Sequence, residues 1–148
     1  MVFDLDETLI HCNDTLNASH DVKLPIKFPT GELIEAGVNI RPYAREILKN
    51  MSRYFEIVVF TASHSCYANV VIDWLDPDKQ WVSHRLFREH CFLSSENLYI
   101  KDLRVLGRDL SEVILVDNAA YSYAYQLPNG IPILPYYQGR VDFELKVL

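Results

Sequence analysis

Hydrophobic and polar positions in this 148-residue chain follow two distinct rhythms. Residues 1–3, 57–60 and 113–116 are apolar without interruption, and each run stops at a polar residue: Asp4, Thr61 and Asp117. Runs apolar on both faces predict buried strands of a parallel sheet rather than a meander with one wet face. Helical patterns fill the intervals. Residues 42–54 open on Pro42 at a first helical position, and Ser63 is placed to cap a helix running to about Leu75. This β-α-β alternation predicts an α/β domain of three layers. In open sheets of that kind ligands sit beyond the carboxyl ends of the strands, where Asp4, Thr61 and Asp117 all fall.

The second rhythm has period two. Val22, Leu24, Ile26 and Phe28 alternate with Lys23, Pro25 and Lys27; after the turn residues Pro29, Thr30 and Gly31, Ile34, Ala36, Val38 and Ile40 alternate with Glu35, Gly37 and Asn39. This predicts a β-hairpin over about 22–40 with one apolar face, inserted between the first strand and the first helix. Its two readings are a cap or wall over the site and a plain extension of the core. Residues 81–86, 99–100 and 128–135 read as further short strands. With no repeat, low-complexity stretch or linker, residues 1–148 are expected to form one domain, and the chain is expected to be a piece of a longer protein.

Composition narrows the function. The chain is 49% hydrophobic and 23% charged, and its 14 basic against 20 acidic residues give a formal charge of -6. That balance disfavours non-specific binding to nucleic acid or to an anionic membrane, so an anionic substrate must meet locally placed cations. Cys12, Cys66 and Cys91 are odd in number and lack C-x-x-C spacing, which suggests neither a disulfide framework nor a zinc site, and they are expected to pack as small buried hydrophobes. No apolar run approaches the roughly 18 residues that span a bilayer, and no signal-peptide pattern opens the chain. The expectation is an intracellular protein, nuclear or cytoplasmic, without a membrane segment.

The candidate chemistry starts at Asp4-Leu5-Asp6-Glu7-Thr8. On extended backbone, side chains two apart point the same way, so Asp4 and Asp6 can face one reacting centre while Leu5 faces the core. One carboxylate can attack phosphorus while the other donates a proton to the leaving oxygen and later activates water. Their combined charge calls for a cation, and magnesium fits, being held by one or two carboxylates, water and substrate oxygens. A calcium loop is excluded, because Thr8 and Leu9 stand where a further oxygen ligand and glycine are required. A purely structural aspartate pair, acting as helix caps, is the other reading. A cysteine phosphatase needs an arginine six residues after its nucleophile, where Cys12, Cys66 and Cys91 have Ala18, Ile72 and Asn97. The five histidines show no ligand spacing, and the aromatics, including Tyr121, Tyr123 and Tyr125, are expected to pack rather than to stack on bases.

Together with Phe60-Thr61-Ala62-Ser63, Lys101 and Asp117-Asn118, this loop resembles the four motifs of haloacid-dehalogenase-superfamily phosphatases. The segments 85–89, 99–103, 106–110 and 116–118 narrow the resemblance to the small phosphatases of the RNA polymerase II C-terminal domain (CTD), the NLI-interacting-factor-like group, over nearly the whole chain. The resemblance implies that Asp4 is the nucleophile and forms an aspartyl phosphate, that Asp6 is general acid and base, that Thr61 bonds a phosphoryl oxygen, and that Lys101 neutralises charge. It implies Mg2+ held by Asp4, Asp6 through its carbonyl, and Asn118, with Asp117 in support. It carries Thr8, Ala62 and Arg88 over as substrate-binding positions, and Ile26, Phe28, Ala36 and Tyr67 as a hydrophobic pocket for a proline near the phosphoserine. The other arginines of this basic stretch, Arg85, Arg104 and Arg108, are expected to be solvated or paired with Glu89, Asp102 or Asp109.

The expected function is a Mg-dependent protein serine/threonine phosphatase whose partner is a phosphorylated protein or peptide. Two rivals stand beside it: a phosphatase of a small metabolite, for which an insert of about twenty residues is a poor enclosure, and a binding module of the same fold without catalysis, which tends to lose the first aspartates that this chain keeps. This sequence departs from the family pattern at 12–21, which lacks an aromatic, at His64 in place of leucine, at Asn69 in place of aspartate, and at Ala119-Ala120 in place of Ser-Pro.

Overall fold

The computed structural model describes residues 1–13 and 19–148; residues 14–18, within the stretch noted for its missing aromatic, lie outside the described residues. The strands are β1 (Val2–Phe3), β2 (Ile10–Cys12), β3 (Val22–Lys27), β4 (Leu33–Ile40), β5 (Ile57–Phe60), β6 (Val82–Leu86), β7 (Phe92–Leu93), β8 (Tyr99–Ile100), β9 (Leu115–Asp117) and β10 (Gly130–Pro132). The helices are α1 (Ala44–Met51), α2 (Ser65–Leu75) and α3 (Glu144–Val147). Five strands form a parallel sheet in the order β10-β9-β1-β5-β6. The chain leaves β1 for β5 and β6, then crosses back to β9 on the other side. A crevice opens at the carboxyl end of β1, where that order reverses.

The expected burial on both faces is visible residue by residue. Phe3, Ile57, Val59 and Val116 point into one core with Ala44, Ile47 and Leu48 of α1 and Ala68, Val71, Ile72 and Leu75 of α2. Val2, Val58, Phe60 and Leu115 point into a second core with Leu103, Val113 and Tyr123. Alternation along each strand thus feeds two layers, and the helices bury stripes at the i, i+3, i+4 spacing of a 3.6 period. The second layer consists of 3-10 segments, Leu103–Leu106, Leu110–Glu112 and Ala120–Asn129, rather than α-helices.

Four boundaries differ from expectation. Pro42 does not open α1; Tyr43 intervenes in a left-handed conformation at φ 68° and the helix starts at Ala44. Ser63 caps nothing: α2 starts at Ser65 after an extended His64, and the Ser63 hydroxyl goes to Asp6. The third core strand begins at Leu115, two residues late, and the strand expected over 128–135 is confined to Gly130–Pro132 because a 3-10 segment runs through Pro128. The hairpin forms as expected, with Val22 opposite Val38, Leu24 opposite Ala36 and Ile26 opposite Ile34, and β2 joins it as a third antiparallel strand. Leu24, Ile26 and Val38 enter the first core, so the apolar face extends the core. The cysteines form no disulfide and are half-buried rather than fully packed.

Candidate active site

The carboxyl end of β1 carries the first functional side chain. Asp4 still pairs with β9, donating its amide to the Val116 carbonyl at 2.9 Å, after which Leu5, wholly buried, accepts amides from Leu9 and Ile10 and turns the chain back. With Leu5 anchored inward, Asp4 and Asp6 emerge on the same side. Lys101, which follows β8 and is 2% exposed, lies between two strand ends. Its ammonium donates to Asp4 Oδ1 at 2.5 Å and to Asp117 Oδ2 at 2.6 Å, while Asp117 Oδ1 accepts the Ala119 amide at 2.8 Å. Burial pushes the Asp4 carboxyl up to about 7; Lys101 pulls against it, and Asp117 and Asp6 add to the rise. Burial works against the Lys101 charge, but the two carboxylates outweigh it and hold its pKa above the usual lysine value.

Asp6 sits half-buried on the rim, among hydroxyls instead of charges. Its Oδ1 accepts the Tyr67 hydroxyl at 2.8 Å, and its Oδ2 accepts Ser63 Oγ at 2.7 Å and Thr61 Oγ1 at 3.4 Å. Burial, then Asp6 and Cys12, push the Tyr67 phenol well above the usual tyrosine value, so it stays protonated as a donor. Tyr67, expected in an apolar pocket, instead touches the second aspartate, and Ser63 is a site residue that sequence reasoning took for a cap. The available signal was its spacing, two residues beyond the hydroxyl that ends β5.

Asp4, Asp6, Thr61, Ser63, Lys101 and Asp117, but not Tyr67, line a cavity of about 230 Å³ with Ala62, Arg88, Tyr99, Asn118 and Tyr121. A larger hollow of about 870 Å³, beside Met1, Glu56 and Arg108, lies at the opposite ends of the same strands and holds none of them. Volume does not select the site; converging charge does. Arg88 enters from behind, its Nε donating to the Ala62 carbonyl at 2.6 Å and its guanidinium 5.2 Å from the centre of the Tyr99 ring. Arg85 is tied to Asn69 and Asp73 of α2, Arg104 to Asp102, and Arg108 to Glu56 rather than Asp109. Among the described residues Arg88 is therefore the arginine that both lines the cavity and lacks a carboxylate partner.

Besides Tyr67, four expected substrate positions, Thr8, Ile26, Phe28 and Ala36, lie outside the cavity lining. Thr8 is fully buried and cannot face a ligand; its hydroxyl lies 3.2 Å from Asp4 Oδ2 and 3.3 Å from Asn118 Oδ1 and orients both. Ile26 is 2% exposed and belongs to the core. No residue of the hairpin lines the cavity, although Phe28 and Ala36 remain half-buried and Ile34 is 42% exposed on the same face.

The residues fit a hard divalent cation. Asp4 Oδ2 and Asn118 Oδ1 converge on one hydroxyl, and no backbone amide among the described residues donates to the Asp6 carbonyl. Asp4 and Asp117 share one ammonium and Asp6 meets only hydroxyls, leaving uncompensated negative charge. Oxygen donors in small number, the rest of the shell left to water and substrate, suit magnesium better than zinc. No group of three His, Cys, Asp or Glu among the described residues is placed to hold a metal, and the set above counts a backbone carbonyl and an amide oxygen.

A family model for the NLI interacting factor-like phosphatases matches residues 1–148. The chain belongs to this family. "CTD small phosphatase-like protein 3" of Caenorhabditis elegans is 47% identical over 145 residues, 98% of this chain and 50% of that protein. The human "CTD small phosphatase-like protein" is 40% identical over 147 residues, 98% of this chain and 51% of that protein. The chain thus spans about half the length, or less, of the curated relatives it matches. Among solved structures, a fission yeast RNA polymerase II CTD phosphatase, Fcp1, bound to beryllium fluoride matches with a TM-score of 0.72 at 21% identity, over 91% of this chain and 41% of that one. That likeness shows the haloacid-dehalogenase fold, and the fold matches the parallel sheet and separate antiparallel hairpin described above.

Proposed function

We propose that this NLI interacting factor-like phosphatase domain hydrolyses phosphoserine or phosphothreonine in a protein, with Mg2+ and an aspartyl-phosphate intermediate. The observation that carries the reading is the buried Lys101 ammonium bridging Asp4 and Asp117 beside a second aspartate that is held only by hydroxyls. In the first half-reaction an Asp4 oxygen forms a bond to phosphorus as the bond to the seryl oxygen breaks, and Asp6 delivers its proton to that oxygen. In the second, Asp6 takes a proton from water, the water oxygen bonds to phosphorus, and the bond to Asp4 breaks. Lys101 neutralises charge on the phosphoryl group throughout, Thr61 donates its hydroxyl to it, and Arg88 and the Ala62 backbone wall the site. Asp4, the Asp6 carbonyl and Asn118 would hold the magnesium, with Asp117 in support, and the ion supplies positive charge for the phosphoryl oxygens.

A peptide fits better than a metabolite. The cavity is small and Leu24, Ile26 and Val38 of the hairpin are spent in the core, so neither encloses a whole ligand, whereas Phe28, Ala36 and Ile34 stay reachable along the hairpin. The RNA polymerase II CTD is one phosphoserine-rich candidate, given the names of the relatives. The test is a phosphopeptide panel and an aryl phosphate assayed with magnesium and with EDTA. Turnover of phosphoseryl peptides that stops on chelation is expected. Turnover restricted to small phosphates, or none with any substrate, would overturn the proposal.

A further inference from the structure

Arg41 is 1% exposed, follows β4 directly and does not itself line the cavity. A wholly buried guanidinium demands partners for its five N–H groups. Nε donates to Asp142 Oδ1 at 2.9 Å and Nη2 to Asp142 Oδ2 at 3.0 Å, a two-pronged fork. Nη1 donates to the Thr8 carbonyl at 3.1 Å and lies 3.5 Å from the Glu7 carbonyl. The Tyr136 ring covers the guanidinium at 5.6 Å, and the Tyr136 amide donates to that Glu7 carbonyl at 2.8 Å. Everything Arg41 grips therefore belongs either to the turn after Asp6 or to the segment leading into α3.

That turn is where the loop is strained. Glu7 has φ 58°, the left-handed region that non-glycine residues rarely adopt, and the next residue is Thr8, whose hydroxyl orients Asp4 and Asn118. A conformation of that kind persists only where its surroundings over-determine it, and two donors on the Glu7 and Thr8 carbonyls do so here.

We propose that Arg41 is a positioning residue of the phosphoryl-transfer site: paired with Asp142, it braces the Glu7–Thr8 turn and so fixes the angle at which Asp4 and Asp6 meet the phosphate. This rests on the phosphatase reading above. Because misplacement by about 1 Å costs on the order of a hundredfold in rate, the braced loop should set kcat and leave KM nearly untouched.

The test uses Arg41→Lys, which keeps the charge but loses the fork, and Asp142→Asn, which keeps the shape and one carbonyl acceptor. In both, kcat toward a phosphopeptide and toward an aryl phosphate should fall alike, about ten- to a hundredfold for Arg41→Lys and less for Asp142→Asn, with KM within about twofold and the circular dichroism of a folded protein. Guanidinium ion at millimolar concentration should restore part of the kcat of Arg41→Ala, and ammonium at equal ionic strength should not. Amide exchange at Leu9 and Ile10, which bond to Leu5, should accelerate in Arg41→Lys. Unchanged kcat in folded Arg41→Lys, or a loss carried by KM, overturns the proposal. Should the parent chain turn over neither substrate, the phosphatase reading fails by itself, and the exchange arm still decides whether Arg41 holds the loop. If Arg41→Ala does not fold, the Lys and Asn variants carry the test.

Discussion

Asp4 and Asp6 stand two residues apart on one loop, and their surroundings have almost nothing in common. Asp4 is 7% exposed, gripped by a buried ammonium and faced by a second carboxylate. Asp6 is on the rim and meets three hydroxyls, from Thr61, Ser63 and Tyr67, with no cation in contact. The first environment holds a group still and compensates its charge, as a nucleophile needs. The second holds a carboxyl by donors that keep its oxygens in place while one face stays open to solvent and substrate, as a proton carrier needs. Two identical side chains are thus given different surroundings, and the proposed mechanism assigns them different roles accordingly.

The largest way to break this contrast is on the buried side. Asp4→Asn should abolish turnover of every substrate, and Lys101→Met, which strands two carboxylates without a counter-ion, should also cost about 3–5 kcal/mol of stability in urea titrations. An active Asp4→Asn enzyme would remove the nucleophile from the buried position. On the rim, Asp6→Asn should lower kcat by about a hundred- to ten-thousandfold, more for a phosphoseryl peptide than for an activated phenyl phosphate whose leaving group needs no proton; equal losses would deny it the acid's role. Tyr67→Phe deletes one donor to Asp6 and should cost about tenfold on phosphoserine, the order of one charge-assisted hydrogen bond, with less effect on the phenol. Smaller again, Phe28→Ala should lower phosphopeptide kcat/KM about fivefold through lost apolar contact and spare the aryl phosphate, since Phe28 lies outside the cavity; a matching loss on both would mean damaged packing.

The smallest effect sharpens the contrast by a control outside both environments. Asp102, next to Lys101 in sequence, is held at about 2 by Arg104, with Gln126 also donating to it. A carboxylate depressed in the folded state contributes stability that is fully present above its unfolded value of 3.8 and is lost as pH falls from there through 2. Asp102→Asn should therefore flatten the acid limb of a stability curve between about pH 4 and 2 and leave kcat at neutral pH unchanged.

What the sequence revealed follows from geometry that repeats in every parallel sheet. Strands apolar on both faces must be covered on both, and strand ends must gather, so Asp4, Thr61 and Asp117 were readable as neighbours from three short runs, and the hairpin register followed from strict alternation about Pro29 to Gly31. The parts that escaped depend on paths no local pattern encodes. Ser63 resembles a cap until the chain bends to bring it under Asp6. Ile26 and Phe28 read alike by alternation, and only the packing of α2 on β3 decides which is buried. The outer layer of 3-10 segments has no 3.6-residue stripe to detect, β2 is too short to alternate, and Arg41 carries no mark of burial except that its partners lie 33 and 101 residues away along the chain.

The central claim is that the Asp4 side chain is transiently esterified with phosphate. Acid quenching during turnover of a phosphopeptide, followed by borohydride reduction and peptide mass spectrometry, reads this directly, because reduction converts an aspartyl phosphate to homoserine. The account predicts homoserine at position 4 in the parent protein and, with the aryl phosphate as substrate, in larger yield in Asp6→Asn. An unmodified Asp4 in an enzyme that is turning over, or homoserine at position 6, would contradict it.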